Sequence, residues 1–449
     1  MPQPSKSLQV GESHKEILAI ALPIAAAIMV PQFNFVINNI FLGSLGEQAL
    51  GVAGITGIYY LMFAVIGMGF SNGVKVLMSR KAGEDDTNEI GKLFYQGVFI
   101  ALVIAILSLI FTYVLAEPLL KSCLSREGNA IMAASFLKIR ILGLLFLYLF
   151  QLGNTLLVST NNSKFLIIGT FSETIFNIFF DYSLIYGKFG MPELGFNGAA
   201  YASLIAEAVG LLVIYLVLKF SNIRDNFNLF IGRSLDFKLC GMILKQSSPL
   251  ILQYAVSIIS WEYFYILVEH RGSIDLAISN TMRNILGLFG CFTWAFSSTT
   301  NTMISNFIGQ SQERKLIRLT WRISNLSALF AFSASLIVSI NAKWLLSIYG
   351  QGDEFINLAE PVLQVVLIGM CITSISTIWM NAVVGTGHTK TALWAEIMAV
   401  VFYSIYNYIV IELLGLPLIW AWASEWLYWI VLFLPCIYFM YRRYPQNAV

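Results

Sequence analysis

The feature that most constrains this chain is a succession of long apolar segments running through nearly its whole length. A membrane-spanning helix needs roughly 20 apolar residues, and about twelve segments of the chain reach that length. They lie near residues 16–42, 52–79, 93–116, 131–158, 164–187, 197–219, 241–268, 276–306, 320–346, 359–384, 389–411 and 417–441. Such segments satisfy their backbone polar groups in lipid by forming helices. The sequence therefore predicts an all-α integral membrane protein.

The composition agrees with lipid as the solvent and disfavours several other classes of function. Of the 449 residues, 57% are hydrophobic and only 12% are charged, whereas about a quarter are charged in an average soluble domain. A net charge of +2 without any basic tract argues against a nucleic-acid partner. The five cysteines are scattered singly and the three histidines lie far apart, so we expect neither a disulfide framework nor a metal centre. We also expect no resident cofactor.

The distribution of lysine and arginine predicts the orientation in the membrane. In the twelve-span topology most of these residues fall on one side, while only Lys121, Arg126, Lys188, Arg271 and Lys343 fall on the other. Cytoplasmic loops carry the excess of positive charge. We therefore expect both termini to be cytoplasmic in a multi-pass protein of the inner cell membrane.

The two halves of the chain repeat each other at a fixed offset of 226 residues. Pro23 maps to Pro249 and Gly46 to Gly272. This repeat predicts two six-helix lobes, residues 1–220 and 239–449, joined by a cytoplasmic linker at residues 221–238. With six spans in each half, the lobes should have the same topology. Transporters built from parallel repeats place their substrate site between the halves near the midplane, which favours a transporter over a receptor or a channel subunit.

The fifth predicted span carries ionisable groups at helical spacing. Glu173, Asn177 and Asp181 follow one another at intervals of four residues, so on a helix they form a polar stripe about 12 Å long. Charged residues within a span are candidate functional sites because their insertion is costly. The stripe is interpreted as a proton or sodium site. The alternative is a hydrogen-bond network that ties helices together.

The first span adds amide side chains. Asn34 and Asn38 share one face at i, i+4, and Asn39 follows. Their oxygens could complete the coordination of a sodium ion, or the amides could hold neighbouring helices together.

The seventh span carries a further acid, Glu262, which could bind a cationic substrate or pair with Arg283 on the next span. Trp261 and Trp379 lie on spans expected to line the cavity between the halves, where aromatic faces suit hydrophobic cations. Packing within the protein is the alternative for each tryptophan. Weaker acidic candidates and intramembrane cations, which could be counter-ions or could extend to the interface, are Glu207, Glu396, Glu425, Lys75, Lys138 and Arg140.

Several of these segments, in their order along the chain, resemble the MATE (multidrug and toxic compound extrusion) family of the MOP superfamily. The resemblance rests on LAIALP ending at Pro23, INNIFLGSLG at 37–46, SRKAGEDD at 79–86, FLKIRILGLL at 136–145, FNIFFDYSLIYG at 176–187 with PELGFNGAAYAS at 192–203, and ISNFIGQ at 304–310. It implies twelve helices in two lobes arranged as a V. It also implies export of cationic, amphiphilic compounds in exchange for H+ or Na+. We expect the protein to work by alternating access and to act as a monomer.

The resemblance also implies roles for individual residues. The family's cation site in the first lobe falls on Asn177 and Asp181, with Ser203 as its hydroxyl, and the helix-bending proline falls on Pro23. The aspartate that other members carry on span one is replaced here by Asn38. Glu173 could substitute for that lost carboxylate, or the coupling ion could be sodium.

Two other functions remain as alternatives. A lipid-linked-oligosaccharide flippase of the same superfamily would be expected to line its cavity with several cations to bind a diphosphate. The intramembrane groups here are mostly acids, which favours a cationic substrate. A polytopic membrane enzyme would need a catalytic motif such as HExxH or a nucleophile signature, and we find none in the sequence.

Overall fold

The computed structural model describes residues 7–124, 126–230, 232 and 234–445. These residues form α-helices joined by short turns, with no β-strand in the described ranges. The helices of the first half are α1 (His14–Gly43), α2 (Glu47–Gly83), α3 (Thr87–Cys123), α4 (Glu127–Arg140), α5 (Gly143–Ser159), α6 (Leu166–Tyr186), α7 (Phe196–Phe220) and α8 (Ile223–Asn226). Those of the second half are α9 (Phe237–Glu269), α10 (Ser273–Gly309), α11 (Leu316–Ile340), α12 (Ala342–Ser347), α13 (Asp353–Gly385), α14 (Thr389–Asn407), α15 (Leu418–Trp422) and α16 (Ser424–Arg443).

Each predicted span corresponds to a long helix or to helices in direct succession. Span four is a bent pair, in which α4 and α5 meet at 45°. By length and apolar composition, nine helices of the described chain could cross a membrane, or ten with the bent pair. The helices α6 and α10 fall outside that set. We attribute this to the polar stripe of α6 and to the hydroxyl-rich run SSTTNT at 297–302 in α10.

Large apolar side chains are exposed along the outer faces of these helices. Leu107 and Val114 on α3 and Phe332 and Ile337 on α11 are examples. A soluble protein rarely exposes apolar surface on this scale. These faces are therefore the surfaces expected to contact lipid.

The chain forms two compact units, each defined by the contacts within it. The N unit contains Ala26–Ile251 and a short N-terminal piece ending at Leu8; the C unit contains Gln9–Ala25 and the chain from Leu252 onward. The division thus passes through α1 and α9, and the predicted linker, residues 221–238, lies wholly in the N unit. Pro23 and Pro249 stand just before these two division points. A proline within a helix removes one backbone hydrogen bond and weakens the helix locally.

The two units use equivalent helices as their centres. In the N unit, α5 packs on α2, α3 and α7, and α6 packs on α7. In the C unit, α13 packs on α10, α11 and α16, and α14 packs on α16. Under the 226-residue offset the bent pair α4–α5 corresponds to α13, which is one continuous helix. The same position in the repeat is therefore broken in one unit and continuous in the other.

Candidate cation-binding site

The polar stripe of α6 faces the interior of the N unit. Asp181 is completely buried and Asn177 nearly so, while Glu173 is half-buried. Ile175 and Phe179, on the opposite side of the helix, are exposed. A helix with one polar and one apolar face directs its polar groups to protein or water in a bilayer. The orientation of α6 therefore follows from its own sequence.

Glycines on α7 allow this helix to lie close to the stripe. A Cβ atom at position 198 would lie 2.6 Å from the carbonyl oxygen of Leu184, and one at position 210 would lie 3.2 Å from the Cβ of Glu173. Small residues permit such close approach of helices in membrane proteins. The close packing brings Ser203 of α7 to the level of Asn177.

Asn177 joins three helices through its amide group. The Asn34 Nδ2 on α1 donates a hydrogen bond of 2.7 Å to Asn177 Oδ1, and Asn177 Nδ2 lies 3.4 Å from Ser203 Oγ. With the Asn177 amide rotated by half a turn, its nitrogen would donate to Asp181 Oδ2 at 3.2 Å and its oxygen would accept from the Ser203 backbone N–H at 3.2 Å. The hydrogen-bond network decides between such amide orientations, and only the rotated orientation provides a donor for Asp181.

Asp181 lacks the partners that a buried carboxylate requires. Its Oδ1 has no hydrogen-bond partner within the described ranges, and none of the salt bridges found there includes Asp181. A charge at the bilayer centre costs about 2.5–3.5 kcal/mol on insertion scales. A proton or a bound cation would remove most of that cost. The site is thus chemically suited to bind one or the other.

Asn38 presents a second unsatisfied oxygen in the same unit. Its Oδ1 is buried and has no hydrogen-bond partner in the part of the chain that is described. Predicted spans one and five cross in the same direction. Asn38 and Asp181 each lie one turn beyond the Asn34–Asn177 hydrogen bond on their respective helices. Two buried oxygens without donors therefore occupy corresponding levels of α1 and α6.

Glu173 lies on α6 one turn before Asn177 and two turns before Asp181, and it packs against Gly210. The structure therefore brings together Asn34, Asn177, Ser203 and Asp181. It gives Glu173 no direct contact with Asp181 among the hydrogen bonds described.

Two candidate counter-ions of the N unit, Arg140 and Lys138, pair with other acids. Arg140 forms a two-point ion pair with Glu207, with N–O distances of 2.7 and 3.0 Å. The Tyr60 hydroxyl donates to the same carboxylate at 2.9 Å, and its ring lies 3.7 Å below the guanidinium. Lys138 pairs with Glu117 at 2.8 Å. Glu207 is therefore neutralised, in contrast to Asp181.

In the C unit the alternative of a Glu262–Arg283 ion pair is not realised among the described residues. Arg283 instead lies over the rings of Trp261 and Tyr265, at 5.1 and 5.6 Å from the ring centroids. Glu262 is half-buried. Trp261 and Arg283 thus form a cation–π pair, and Glu262 has no cationic partner in the ion pairs described.

The packing alternative for Trp379 agrees with the structure. This side chain has no exposed surface and packs against Trp321 and Tyr441, with centroid distances of 5.1 and 5.9 Å. The sequence places Trp379 on a predicted span without specifying which way its side chain points. In the structure, the rotation of α13 directs it into the interior of the C unit. Pro23 lies within the continuous helix α1, at the division point described above.

A buried carboxyl group in the C unit had only weak support from the sequence. Glu396 on α14 contacts Tyr428 on α16 and Gln253 on α9. Only Glu396 itself had been noted among the weaker acids. Its two partners lie 32 and 143 residues away along the chain, so no local pattern could have indicated them.

A comparison with known protein families finds one family that matches the chain at two places. The sequence profile of the MatE family matches residues 23–183 and again residues 249–409. The second range begins 226 residues after the start of the first and ends 226 residues after its end. Together the two ranges cover more than half of the chain. The internal repeat deduced from the sequence is thereby confirmed.

Curated relatives match over most of the chain. A protein of Thermotoga maritima named "Probable multidrug resistance protein NorM" is 22% identical over 425 residues, which cover 93% of this chain and 89% of the relative. A protein of the same name from Synechocystis is 22% identical and covers 79% of this chain and 78% of its own length.

Solved structures agree in fold. A crystal structure of MATE in complex with MaL6 superposes with a TM-score of 0.90 at 16% identity, covering 98% of this chain and 99% of the other. A MOP superfamily transporter from Pyrococcus furiosus, for which the reversed polarity of a binding pocket suggests a different function, superposes with a TM-score of 0.90 at 15% identity over the whole of both chains. The predicted two-lobe helical fold is confirmed.

Proposed function

This chain belongs to the MatE family of multi-pass membrane transporters, and on that premise we propose that it exports cationic, amphiphilic small molecules in exchange for a proton or a sodium ion. The substrate class is supported by the multidrug-resistance names of the curated relatives. It is also supported by the buried acids Asp181 and Glu396, which form no salt bridge among the described residues. A diphosphate-linked substrate would call for cations instead.

The observation that carries the ion-coupling proposal is the state of Asp181. Its carboxylate is completely buried and its Oδ1 has no donor in the described residues. Its neighbours are amide and hydroxyl groups, which can satisfy either a protonated acid or a cation coordinated by oxygen atoms. Binding of a proton or a cation replaces the unpaired charge of Asp181 by a neutral group or an ion pair. The free energy of the folded protein therefore depends strongly on whether the site is occupied.

Coupling follows if the loaded and unloaded forms favour different conformations. A ligand shifts a conformational equilibrium only by its difference in affinity for the two states. Asn177 links α1, α6 and α7 through one amide. A change of charge at Asp181, one turn away, would alter the preferred orientation of that amide and thus the contacts among the three helices.

If the ion is sodium, its oxygen ligands would be those of Asp181, Asn177 and Asn38, with Ser203 as a further oxygen. If the ion is a proton, it would reside on Asp181, and the amides would orient that carboxyl group. In both cases Glu173 and Glu262 are secondary acids. The ring of Trp261, which now holds the Arg283 guanidinium, would contribute to binding of the cationic substrate rather than to ion binding.

The test is efflux of ethidium from proteoliposomes under sodium and pH gradients imposed separately. We expect one of the gradients to drive efflux, and Asp181→Asn to abolish gradient-driven efflux while the protein remains folded. The matched control is Asp353→Asn, which makes the same substitution at an exposed helix start. Control efflux should equal that of the unmodified protein.

Efflux at the native rate in Asp181→Asn would disprove the role assigned to this carboxylate. Absence of efflux from the unmodified protein under either gradient would disprove the drug-exporter proposal. The flippase function, assayed with a lipid-linked oligosaccharide, would then become the leading hypothesis.

A further inference from the structure

The C unit contains an ionisable cluster that does not derive from the repeat of the Asp181 site. Under the offset of the two family matches, Asp181 corresponds to Asn407 and Glu396 corresponds to Thr170. Glu396 therefore lies on the equivalent helix but about three turns earlier. Its carboxyl group therefore has no counterpart at the equivalent position of the first half.

Glu396 is surrounded by neutral groups from three other helices. The Tyr428 hydroxyl on α16 donates a hydrogen bond to Glu396 Oε1. Gln253 Nε2 on α9 lies 3.4 Å from Glu396 Oε2 and 2.9 Å from the sulfur of Met380 on α13. Ser257 Oγ lies 3.4 Å from the Tyr428 hydroxyl. Only 2% of Glu396 is exposed, and no salt bridge of the described chain includes it.

An independent observation indicates that this cluster takes up a ligand. Gln253 is only 6% exposed, and its Oε1 has no hydrogen-bond partner among the described residues. An unsatisfied buried acceptor costs about 1–3 kcal/mol. The Gln253 side chain thus carries an unused acceptor beside a carboxylate that lacks a counter-ion. A proton on the carboxyl group, together with a half-turn of the Gln253 amide, would give the amide oxygen a donor and remove the uncompensated charge.

We propose that Glu396 is a second proton-binding site, in which the protonated carboxyl donates from Oε2 to the amide oxygen of Gln253. The proton comes from water and binds Glu396 Oε2. The Gln253 amide then rotates by half a turn, so that its oxygen faces Glu396. Release of the proton to water restores the present orientation, in which Nε2 faces the carboxylate. No other bond is made or broken.

The chemistry of the cluster favours a proton over a sodium ion. Hard cations prefer oxygen ligands, whereas a thioether is a soft ligand. Met380 sulfur lies 2.9 Å from the Gln253 amide nitrogen, where a sodium site would place a further oxygen ligand. This soft atom, beside a single carboxylate, favours a proton over a metal cation.

Other titratable groups also face Glu396 or border its cluster. Tyr254 of α9 and Cys436 of α16 are near enough to interact electrostatically with its carboxyl group. Glu425 on α16 is near enough to interact electrostatically with Tyr428, and it accepts hydrogen bonds from Trp429 at 3.0 Å and Tyr403 at 3.4 Å. None of these neighbours is a cation, so none can neutralise Glu396 in place of a proton.

The first test is infrared difference spectroscopy of the purified full-length protein across a pH titration. We expect a carbonyl-stretch band of a protonated acid that disappears in Glu396→Gln, a substitution that keeps the shape of the side chain. Tyr428→Phe should keep this band but shift it, because the hydrogen bond to Oε1 is lost. Asp353→Asn should leave it unchanged. An identical set of bands in the unmodified protein and in Glu396→Gln would overturn the proposal.

The second test concerns transport, and it rests on the exporter function proposed above. If both Asp181 and Glu396 carry protons, Glu396→Gln should lower the number of protons moved per ethidium by about half, by proton linkage. Proton flux can be measured with a pH dye inside the proteoliposomes. An unchanged ratio would overturn the coupling role of Glu396. Failure of the unmodified protein to transport would contradict the exporter function alone, because the infrared result does not depend on transport.

Discussion

The N and C units have the same helical scaffold but place their buried charges differently. In the N unit Arg140 and Glu207 form a two-point ion pair, whereas Asp181 forms no salt bridge among the described residues. In the C unit the position of Asp181 is taken by Asn407, and Glu396 is held by neutral donors. Scaffold positions are thus repeated, whereas the buried ionisable positions Arg140, Asp181 and Glu396 are not. The two halves are therefore expected to perform different parts of one transport cycle.

The broken span of the N unit accompanies this difference. The 45° bend between α4 and α5 comes directly after Arg140, whose guanidinium lies against Glu207 on α7. The equivalent helix of the C unit, α13, is continuous and has Val366 at the corresponding position. We attribute the retention of the bend to the ion pair that forms beside it.

The largest effect is expected from breaking that ion pair. Arg140→Ala leaves Glu207 buried without a counter-ion, and removing one partner of a buried pair costs about 3–5 kcal/mol. Thermal unfolding of the detergent-solubilised protein should show a strongly lowered midpoint. The double variant Arg140→Met/Glu207→Gln should recover much of the loss, because it removes the uncompensated charge. A single variant as stable as the unmodified protein would contradict the role given to the pair.

A smaller effect is expected from making the C unit resemble the N unit at the repeat position of Asp181. Asn407 is completely buried, and its Nδ2 donates to the Tyr403 carbonyl at 3.0 Å. Asn407→Asp removes this donor and buries an acid, which should lower the free energy of unfolding by about 2–3 kcal/mol.

The reciprocal variant Asp181→Asn is the control for that experiment, and it should retain the stability of the unmodified protein. Thermal unfolding of the two variants at the same pH measures the asymmetry. Equal losses in both would mean that the two positions are equivalent after all.

The smallest effect is expected from a pair of equivalent glycines. A Cβ at Gly143 would lie 2.0 Å from Glu207 Oε2 and 2.6 Å from an Arg140 nitrogen, whereas a Cβ at Gly369 meets nothing nearer than 3.4 Å. Gly143→Ala must displace the ion pair, and overpacking of this kind costs about 1–2 kcal/mol. Gly369→Ala should be tolerated. The difference between the two unfolding midpoints isolates the contribution of the ion-pair geometry.

Much of the candidate site could be predicted because its signals are local. The four-residue spacing of Glu173, Asn177 and Asp181 defines one helix face, and the structure turns the last two inward. For Trp379 the packing alternative agrees with its burial against Trp321 and Tyr441, and its cavity-lining role stays a prediction. Its position depends on the rotation of α13 relative to α11 and α16, which the neighbouring residues in the sequence do not specify.

By itself, the sequence determined the membrane class of the protein, its spans, its repeat and the polar face of α6. These features arise from hydrophobicity and spacing, which act over a few helical turns. Only the tertiary structure decided that Arg140 pairs with Glu207, that Asp181 forms no salt bridge within the described ranges, and that Gln253 and Tyr428 meet at Glu396. Those pairings join residues far apart in the chain, and they depend on how each helix is rotated and how closely its small residues let its neighbours approach.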